Sequence, residues 1–584
     1  MTSLSIFLIL TLSWILYWTG RLLQNYLAAR RMSPGIPIII IPIDHTTGLW
    51  SIIDRQFLSF LDRIIPFGWV KRTRLWRYNI RGWEVRDRYF THRELGDVYA
   101  MVSPSKLWLF VADPDAASEI LRRGGDFPRC LKLFEMCNVF GPNLATVERP
   151  RWKVQRKVMA SCFSETTNKI VWSETLSQGK DMLQYWGTPR HETSTSPGGV
   201  NTTAKDLRTL SLHVLSQAGF GKSTKFGGHT NKMKEFEDKS DGTEFSSSND
   251  WYCEALRIVL DNCILIMVLG PKFIAQAGLP RRLGGRHLDR ILQACVEFQW
   301  YMTAMYEEGK RGLLSSSDIE GASPPTETRF MASLVRASRA GGSGDSDNEL
   351  TESEVYGNMF MLNFSGHDTI AQAITFGIFF VAAHPEVQDW ISEELRSVLG
   401  TRDPEDWSYT ADFPRLKRCM AVLLETLRLY DPVPLARWTG DKTAFLTVGK
   451  RTIVIPPKTM VCPSYSCLHT DPTYWGEDSL EWKPARWIEQ EGEEEVLKKH
   501  KRGTFIPWSG GAYECPGRKF SQVECVAVIA SLFRDWRADP ACLPGENLAE
   551  ARQRVLRLIE EDTAPVLLLQ MLHPERAPLV WTRR

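Results

Sequence analysis

The chain has 584 residues, of which 43% are hydrophobic, and its 71 lysines and arginines nearly balance 69 acidic residues, for a formal net charge of +2. This balance gives no reason to expect a nucleic-acid partner. The 12 cysteines form no C-x-x-C pair and no regular pattern, which favours reduced thiols over a disulfide framework or a zinc site. Because no repeat or long linker divides the chain, we expect one large folded domain.

An apolar stretch near the N-terminus predicts a membrane anchor. Leu4 to Thr19 is almost wholly apolar, and no cationic segment precedes it, which argues against the alternative of a cleaved signal peptide. Aromatic residues stand at one end of the stretch and arginines follow it: Trp14, Tyr17, Trp18, Arg21, Arg30 and Arg31. Positive charge after a span keeps the following chain in the cytosol. We therefore predict that residues 1–32 form a single-pass anchor.

Residues 33–49 are predicted to be a proline-containing hinge between this anchor and a folded domain at residues 50–584. The prolines in Ser33–Pro37 forbid helix and predict a stiff spacer. A second apolar run, Ile36 to Ile43, is too short and too proline-broken to span a bilayer, so we expect it to lie along the membrane surface.

The folded domain is predicted to be mainly helical with a small β region. Short alternating segments between Trp50 and Arg123, with a strand at 106–111, predict a small sheet. Beyond Arg151 helical periodicity dominates, most clearly in five segments: 207–218, 251–268, 288–308, 353–383 and 415–429.

Polar side chains that could serve a site stand in two helical segments, one just after Arg151 and one within 353–383. Trp152 and Arg156 place an indole N–H and a guanidinium on one helix face, where both can reach an anion, although a cation stacked on a surface tryptophan is an equal alternative. The segment 363–369, Asn-Phe-Ser-Gly-His-Asp-Thr, places an acid and an amide inside an apolar helix, which is costly unless they line a cavity. A kinked core helix with a satisfied aspartate is the alternative there.

Glu425 and Arg428 are three residues apart on one helical face. Such pairs are usually solvated and weak. Apolar residues flank this pair on both sides, so we expect it to be buried and to need further hydrogen-bond partners.

A glycine-rich loop at residues 508–517 presents one cysteine, Cys515, just before an apolar helical run from about Arg518. Glycines let the backbone approach a flat macrocycle, and the N-terminal end of a helix stabilises a thiolate. The arrangement is typical of a haem iron held by cysteine. A buried, inert cysteine is the alternative.

Taken in this order, the motifs resemble those of the cytochrome P-450 superfamily, whose signature reads F-x-x-G-x-R-x-C-x-G. Gly511, Cys515 and Gly517 match it, and Trp508 stands for the phenylalanine. Tyr513 replaces the arginine that pairs with a haem propionate in the family. The residues of these motifs are most similar to those of microsomal enzymes of filamentous fungi.

The resemblance implies a triangular helical haem domain, with haem b (iron protoporphyrin IX) between the 353–383 helix and the Cys515 loop. Cys515 would be the axial ligand of the iron. Trp152, Arg156 and Arg437 would contact the propionates. Tyr513 can donate one hydrogen bond but no charge, so we expect haem to be held less tightly than with arginine there.

Further roles follow from the resemblance alone. Thr369 and Asp368 would deliver protons during oxygen activation, and Glu425, Arg428 and Arg486 would form a structural triad behind the haem. The walls of an apolar substrate pocket would come from eight residues: Phe134, Met136, Phe140, Met361, Phe364, Ser365, Val433 and Leu435.

The implied activity is insertion of one oxygen atom of O2 into a hydrophobic small molecule, in fungal secondary metabolism or detoxification. No dinucleotide-binding fingerprint follows the cysteine loop, so electrons would come from a separate NADPH-dependent flavoprotein reductase. The implied location is the endoplasmic reticulum membrane. Two alternatives stay open: a haem-thiolate isomerase or dehydratase that needs no reductase, and a non-enzymatic haem-binding scaffold.

Overall fold

The structure is a computed structural model. It describes residues 3–47, 50–65, 72–187, 199–228, 249–270, 285–317, 330–338, 348–433 and 436–584. In the first part of the chain the helices are α1 (Ser3–Arg30), α2 (Trp50–Ile64), α3 (Arg74–Asn79), α4 (Trp83–Asp87), α5 (Phe90–Leu95), α6 (Pro114–Arg122), α7 (Arg151–Cys162), α8 (Glu165–Trp186), α9 (Thr203–Phe220), α10 (Asn249–Asp261) and α11 (Cys263–Leu269). The later helices are α12 (Gly285–Ser317), α13 (Phe330–Arg336), α14 (Glu352–Gly366), α15 (Asp368–Ala383), α16 (Pro385–Leu399), α17 (Lys417–Leu429), α18 (Tyr465–Leu468), α19 (Pro472–Trp475), α20 (Arg518–Phe533) and α21 (Leu548–Glu561).

The strands are short. They are β1 (Ile38–Ile40), β2 (Val98–Val102), β3 (Leu107–Val111), β4 (Arg437–Trp438), β5 (Ala444–Val448), β6 (Arg451–Ile455), β7 (Thr459–Pro463), β8 (Ile488–Glu491), β9 (Glu494–Leu497), β10 (Trp536–Pro540), β11 (Thr563–Pro565), β12 (Leu569–Met571) and β13 (Leu579–Arg583). The largest sheet has the order β1-β2-β3-β7-β4 and brings strands from residues 38–111 together with strands from residues 437–463. The predicted mainly helical fold with a small β region is confirmed.

This five-stranded sheet is covered on both faces. Ala100 and Val102 of β2 pack in one apolar cluster with Ala29 of α1. Tyr99 and Met101 point the other way and pack with α3 and α4. The alternation follows from the two-residue period of a strand, and it places α1 and the α3–α4 pair on opposite sides of the sheet.

The segment after α1 belongs to this sheet. Within the apolar run Ile36 to Ile43, β1 pairs in parallel with β2, and Ile39 and Ile41 are buried. Ser33 Oγ donates a hydrogen bond to the carbonyl of Thr452, 2.8 Å away. The expectation that this run lies on the membrane surface is therefore wrong, because its β-branched residues complete the edge of β2 instead.

Helix α1 has two distinct halves. Its apolar N-terminal part is exposed, and Ser5–Arg30 is long and apolar enough to cross a membrane, judged by length and composition. Its C-terminal part docks on the domain, where Ala29 and Met32 are buried and Asn25 Nδ2 donates to the carbonyl of Ser103 at 2.9 Å.

The five helical segments predicted from periodicity are present. Two of them are interrupted, at Asn262 between α10 and α11 and at His367 between α14 and α15. The region 50–123 departs most from expectation, since α2 to α6 accompany its two strands. Several of these helices have only five or six residues, too few for helical periodicity to show in sequence.

One large apolar cluster fills the interior around α8, α9, α14, α15, α17 and α20. Almost every side chain of α15 is buried. Helix α14–α15 therefore runs through the middle of the domain, and α20, which follows the cysteine loop, packs against α8, α15 and α17.

Candidate active site

The loop that carries Cys515 is fixed by close backbone contacts. Gly511 has a φ of 65°, and a side chain at this position would collide with the carbonyl of Leu121 in α6. The amide of Cys515 donates to the carbonyl of Trp508 at 2.9 Å, and the Trp508 indole donates to Ser521 Oγ at 3.1 Å. The loop is thus held between α6 and α20, with the sulfur near the start of α20.

The Cys515 side chain is exposed although protein surrounds it on most sides. Burial raises the pKa of its thiol, and the amide of Gly517 and the nearby cation of Arg156 offset this only in part. The protein alone therefore holds Cys515 as a thiol at neutral pH. A metal that binds the sulfur must displace this proton.

Tyr513 lies at the centre of a cationic cluster. The guanidinium carbons of Arg129 and Arg437 stand 4.8 and 5.2 Å from its ring centroid, and the Trp152 ring lies 4.7 Å away. Arg129 donates to the carbonyl of Leu144, yet the Nε atoms of both arginines are buried without a hydrogen-bond partner. No carboxylate pairs with either arginine in the part of the chain that the structure describes.

This cluster calls for an anion. Burial lowers the pKa of Arg129 to about 10, and burial together with the neighbouring Arg129 cation lowers the pKa of Arg437 to about 10. Two partly desolvated cations without a counter-ion are costly in a folded protein. A bound dianion at this position would remove the cost.

Helix α7 supplies Trp152 and Arg156, and it is tied to α14. The guanidinium of Arg151 forms a two-pronged ion pair with Glu354, and Gln155 Nε2 donates to the same carboxylate at 3.1 Å. Trp152 lies against Tyr513, whereas the charge of Arg156 acts on Cys515. The two predicted residues therefore flank different parts of the site.

An accessible face runs along the otherwise buried α14–α15 helix. It is formed by Met361, Phe364, Ser365 and Thr369, of which Ser365 is exposed. Ser365 Oγ donates to the Met361 carbonyl at 2.6 Å, and Thr369 Oγ1 donates to the Ser365 carbonyl at 3.0 Å. Both hydroxyls thus remain able to accept a hydrogen bond from the accessible side.

Asp368 lies on a different side of this helix. Its Oδ1 is 3.0 Å from Nε of Arg208 in α9, and Arg208 Nη1 also donates to Asp261 at the end of α10, at 2.5 Å. The ion pair holds the Asp368 carboxylate toward α9. The carboxylate therefore does not share the accessible face formed by Ser365 and Thr369.

A buried acid lies behind the helix break. Glu524 of α20 is fully buried, and neither carboxylate oxygen makes a hydrogen bond of normal geometry to a described residue. The Ser211 hydroxyl beside it donates to the His367 carbonyl at 3.1 Å. Burial raises the pKa of Glu524 to about 8, so this acid is mostly protonated at neutral pH.

We expect Glu524→Gln to change how stability depends on pH. The folded protein retains a proton that the unfolded chain loses, so the free energy of unfolding of the native sequence falls as pH rises from about 4.5 to about 8. Glutamine removes this slope, which is at most about 1.4 kcal/mol per pH unit. Urea unfolding at several pH values measures it. Glu560→Gln, at an exposed position, is the control, and equal slopes in all three proteins would contradict the assignment.

Glu425 organises a buried network. Oε1 accepts from Arg428 Nη2, Arg486 Nε and the amide of Lys483, each at 2.8 Å. Oε2 accepts from Arg428 Nε at 2.8 Å and from the Trp487 indole at 2.9 Å. The other N–H groups of Arg428 donate to three backbone carbonyls, so neither buried charge is left unsatisfied.

The predicted substrate-pocket residues come from three parts of the chain, and those outside the accessible face of α14–α15 differ in their surroundings. Phe140 packs against Phe298 and Phe360 at 5.3 and 5.2 Å between ring centroids, and Phe364 stacks on Phe360. Phe134 lies between two short 3-10 turns. Met136 and Val433 are exposed by 38% and 39%, and Leu435 lies outside the described residues.

Sequence reasoning missed three charged residues of this region. Arg129 lies in a loop without periodicity, so no local pattern marked it. Arg208 and Glu524 each stand in a helix of mostly buried residues. For Glu524 the available signal was a single charge in the apolar run after Lys519, whereas Arg208 follows Lys205 and Asp206 and had no such signal.

These features fit a flat, dianionic metal group. An accessible sulfur stands on one side, the unpaired cations Arg129 and Arg437 stand at one edge, and the accessible face of α14–α15 carries hydroxyls. The residues that would hold haem by thiolate ligation and by its propionates are therefore present.

The comparisons with known proteins agree with this geometry. The family model described as Cytochrome P450 matches residues 83–558. A cytochrome P450 monooxygenase of Arthrobotrys oligospora is 26% identical, with 92% of each chain covered. The phomenoic acid biosynthesis cluster cytochrome P450 monooxygenase of Leptosphaeria maculans is 27% identical, with 95% of each chain covered.

A solved structure shares the fold. The cytochrome P450DA heme domain aligns with a TM-score of 0.57 at 16% identity, covering 86% of this chain and 93% of that one. Because the family model spans most of the chain and the two relatives cover more than nine-tenths of it, this protein belongs to the cytochrome P450 family and is a haem monooxygenase related to fungal enzymes.

Proposed function

We propose that the protein is a membrane-anchored monooxygenase that uses haem b to insert one oxygen atom of O2 into a hydrophobic small molecule. Two observations carry the proposal: the Cys515 sulfur is accessible, and Arg129 and Arg437 have buried Nε atoms without a hydrogen-bond partner and no carboxylate partner among the described residues. Haem, when bound, supplies oxygen activation and oxidation of C–H bonds.

The residues of the chain take distinct roles in this proposal. Cys515 binds the iron, and its thiol proton is lost on binding. Arg129, Arg437 and Trp152 hold the propionates. The hydroxyls of Ser365 and Thr369 face the accessible side, where Thr369 can pass a proton toward the oxygen site. Asp368, paired with Arg208, and the protonated Glu524, next to Ser211, are two acids beside this helix break.

The proposed partner is an NADPH-dependent flavoprotein reductase. Exposed cations near the cysteine loop offer it a docking surface: Lys153, Lys157, Arg518 and Lys519. We propose that α1 anchors the protein in the endoplasmic reticulum membrane with the domain in the cytosol. A relative's assignment to a biosynthesis cluster supports a role in fungal secondary metabolism, with detoxification as the other candidate setting.

The proposal is tested by spectroscopy and by isotope labelling. The reduced, carbon monoxide-treated protein should show a thiolate-type Soret band, and with reductase and NADPH it should place one labelled atom from dioxygen in the product. Product formation without NADPH and without label would instead indicate an isomerase or dehydratase. A thiolate spectrum with neither NADPH oxidation nor an oxidised product for any apolar substrate tested would indicate a haem-binding scaffold.

We expect Tyr513→Arg to slow haem loss roughly tenfold, because a guanidinium adds a charge-assisted hydrogen bond to a propionate. The same change should destabilise the haem-free protein, since a third cation would join Arg129 and Arg437. Haem transfer to an acceptor apoprotein measures the first effect and urea unfolding of the apoprotein the second. Tyr513→Phe keeps the ring and adds no charge but loses the one hydrogen bond that the phenol can donate, so it should not slow haem loss and should leave the stability of the apoprotein unchanged. An unaltered rate for Tyr513→Arg would mean that the propionates are already satisfied.

A further inference from the structure

A cleft of about 850 Å³ opens between α4 and α21. Its inner surface is largely apolar and aromatic, with contributions from Val85, Phe380, Tyr430, Trp482, Leu556 and Leu569. The rings of Phe380 and Trp482 are nearly parallel, with 5.0 Å between their centroids. None of the residues that line this cleft belongs to the site around Cys515, so the cleft is a separate cavity.

Two cations in the cleft have no partner. The cleft is lined by four in all: Arg55, Arg86, Arg88 and Lys483. Arg88 donates to the carbonyl of Leu429 and lies 5.0 Å from the centroid of the Tyr430 ring, and Lys483 Nζ is 2.9 Å from Asp478. Arg55 and Arg86 form no ion pair with any residue that the structure describes.

A third arginine, Arg81, stands beside these two and shares one carboxylate with them. Asp54 acts on the charges of all three arginines. It is 3% exposed, and its two oxygens accept the main-chain N–H groups of Arg55 and Arg81, each at 2.6 Å. Asp562 also acts on Arg55, but its carboxylate binds the ring and the amide of His573, at 3.0 and 2.7 Å. The arginines therefore carry an excess of positive charge.

This excess is costly because the three guanidinium groups are partly desolvated. Burial lowers the pKa of each, and for Arg55 burial and the neighbouring cations of Arg86 and Arg81 lower it to about 10. Arg77 on α3 shows the contrast. It pairs with Asp87 at 2.8 Å and with Glu94 at 3.1 Å, and despite burial these carboxylates raise its pKa.

Glutamates from other elements also line the cleft: Glu386, Glu481, Glu560 and Glu561. All four are exposed, and none of them pairs with an arginine of the cluster in the described part of the chain. Water and salt screen such exposed carboxylates, whereas the arginines are only partly solvated. An anion therefore gains most at the arginines, and the rest of the same ligand must carry no further negative charge.

We propose that Arg55, Arg81 and Arg86 bind the phosphate group of a small molecule whose apolar part lies in the cleft. Guanidinium groups bind phosphate oxygens through pairs of parallel hydrogen bonds. A phosphate dianion balances the charge that three arginines and one aspartate leave, which a single carboxylate would not. The volume of the cleft falls within the range of roughly 300–1,000 Å³ that is usual for small-molecule sites. This ligand would be bound apart from any substrate at the haem.

The test uses the full-length, haem-loaded protein in neutral detergent. Isothermal titration calorimetry compares phenyl phosphate with phenol and with inorganic phosphate. We expect phenyl phosphate to bind at least about tenfold more tightly than either, because it alone offers both the anion and the ring. Arg86→Gln should weaken this binding at least about tenfold, since it removes charge-assisted hydrogen bonds. Arg74→Gln, at an exposed position on α3 outside the cleft, is the matched control and should bind like the native protein.

Several results would overturn the proposal. An unchanged affinity in Arg86→Gln would exclude the arginine cluster, and equal affinities for phenyl phosphate and inorganic phosphate would exclude the apolar cleft. A Soret shift with the same midpoint as the heat signal would place the ligand at the haem instead. Failure of the proposed oxygenation is a separate result, because the titration involves no turnover. The Soret band of each variant before titration reports that the haem site is intact.

Discussion

Replacing Cys515 with alanine should abolish the thiolate-type spectrum and lower substrate oxidation by more than about a hundredfold. A loss of this size exceeds the one that usually follows when a residue that only supports a metal ligand is replaced. The sulfur is the accessible donor at the start of α20, and alanine offers no ligand to the iron. The apoprotein should keep its stability within about 0.5 kcal/mol, since the exposed side chain contributes little packing.

The matched control is Cys542→Ala, because Cys542 is the other exposed cysteine of the twelve. It should leave both the spectrum and the turnover unchanged. The measurement is the carbon monoxide difference spectrum of equal amounts of folded protein, together with product formation per haem. A thiolate spectrum that survives in Cys515→Ala would refute the ligand assignment.

Glu425→Gln should lower the free energy of unfolding by about 3–5 kcal/mol, the cost of breaking a buried ion pair by removing one partner. The change leaves Arg428, which is fully buried, without its carboxylate, and it replaces by an amide NH2 one of the two oxygens that accept from Arg486 and Trp487. Because this network joins α17 to the segment before the cysteine loop, we also expect poor haem incorporation in cells.

Urea unfolding of purified protein gives this difference, and Glu393→Gln provides the comparison. Glu393 pairs with Arg418 at 2.6 Å, but its side chain is 73% exposed, so its loss should cost no more than about 1 kcal/mol. Similar losses for both variants would show that the Glu425 network adds nothing beyond a surface pair.

The parts of the site that sequence predicts are those in which chemistry is concentrated in a short segment. The loop around Cys515 is one such segment, since glycines, a single sulfur and a following helix all lie within ten residues. The long helix with Ser365 to Thr369 is another, because polar residues in a long apolar run stand out. For Glu425 and Arg428, the apolar flanks alone predicted burial.

What sequence could not show depends on contacts between distant segments. Arg129 joins the cationic cluster only because Tyr513 and Arg437 come from segments more than 300 residues away in sequence. The break at His367 is stabilised partly by Ser211 of another helix. The run at Ile36 was misplaced for the same reason, since its composition suits a membrane surface as well as a sheet edge, and only the unpaired side of β2 decides between them.

The pairing of β1 with β2 bears on how a soluble form of the enzyme can be prepared. Truncation at Trp50, the start of the predicted domain, would discard Ile39 and Ile41 from the interior and leave the backbone of β2 without its neighbour. An uncovered strand of this kind promotes self-association. A shortened chain that begins near Gly20 would keep this strand and the docked half of α1, including the buried Ala29, while discarding the apolar half of that helix. It should remain monomeric at concentrations where the shorter form precipitates.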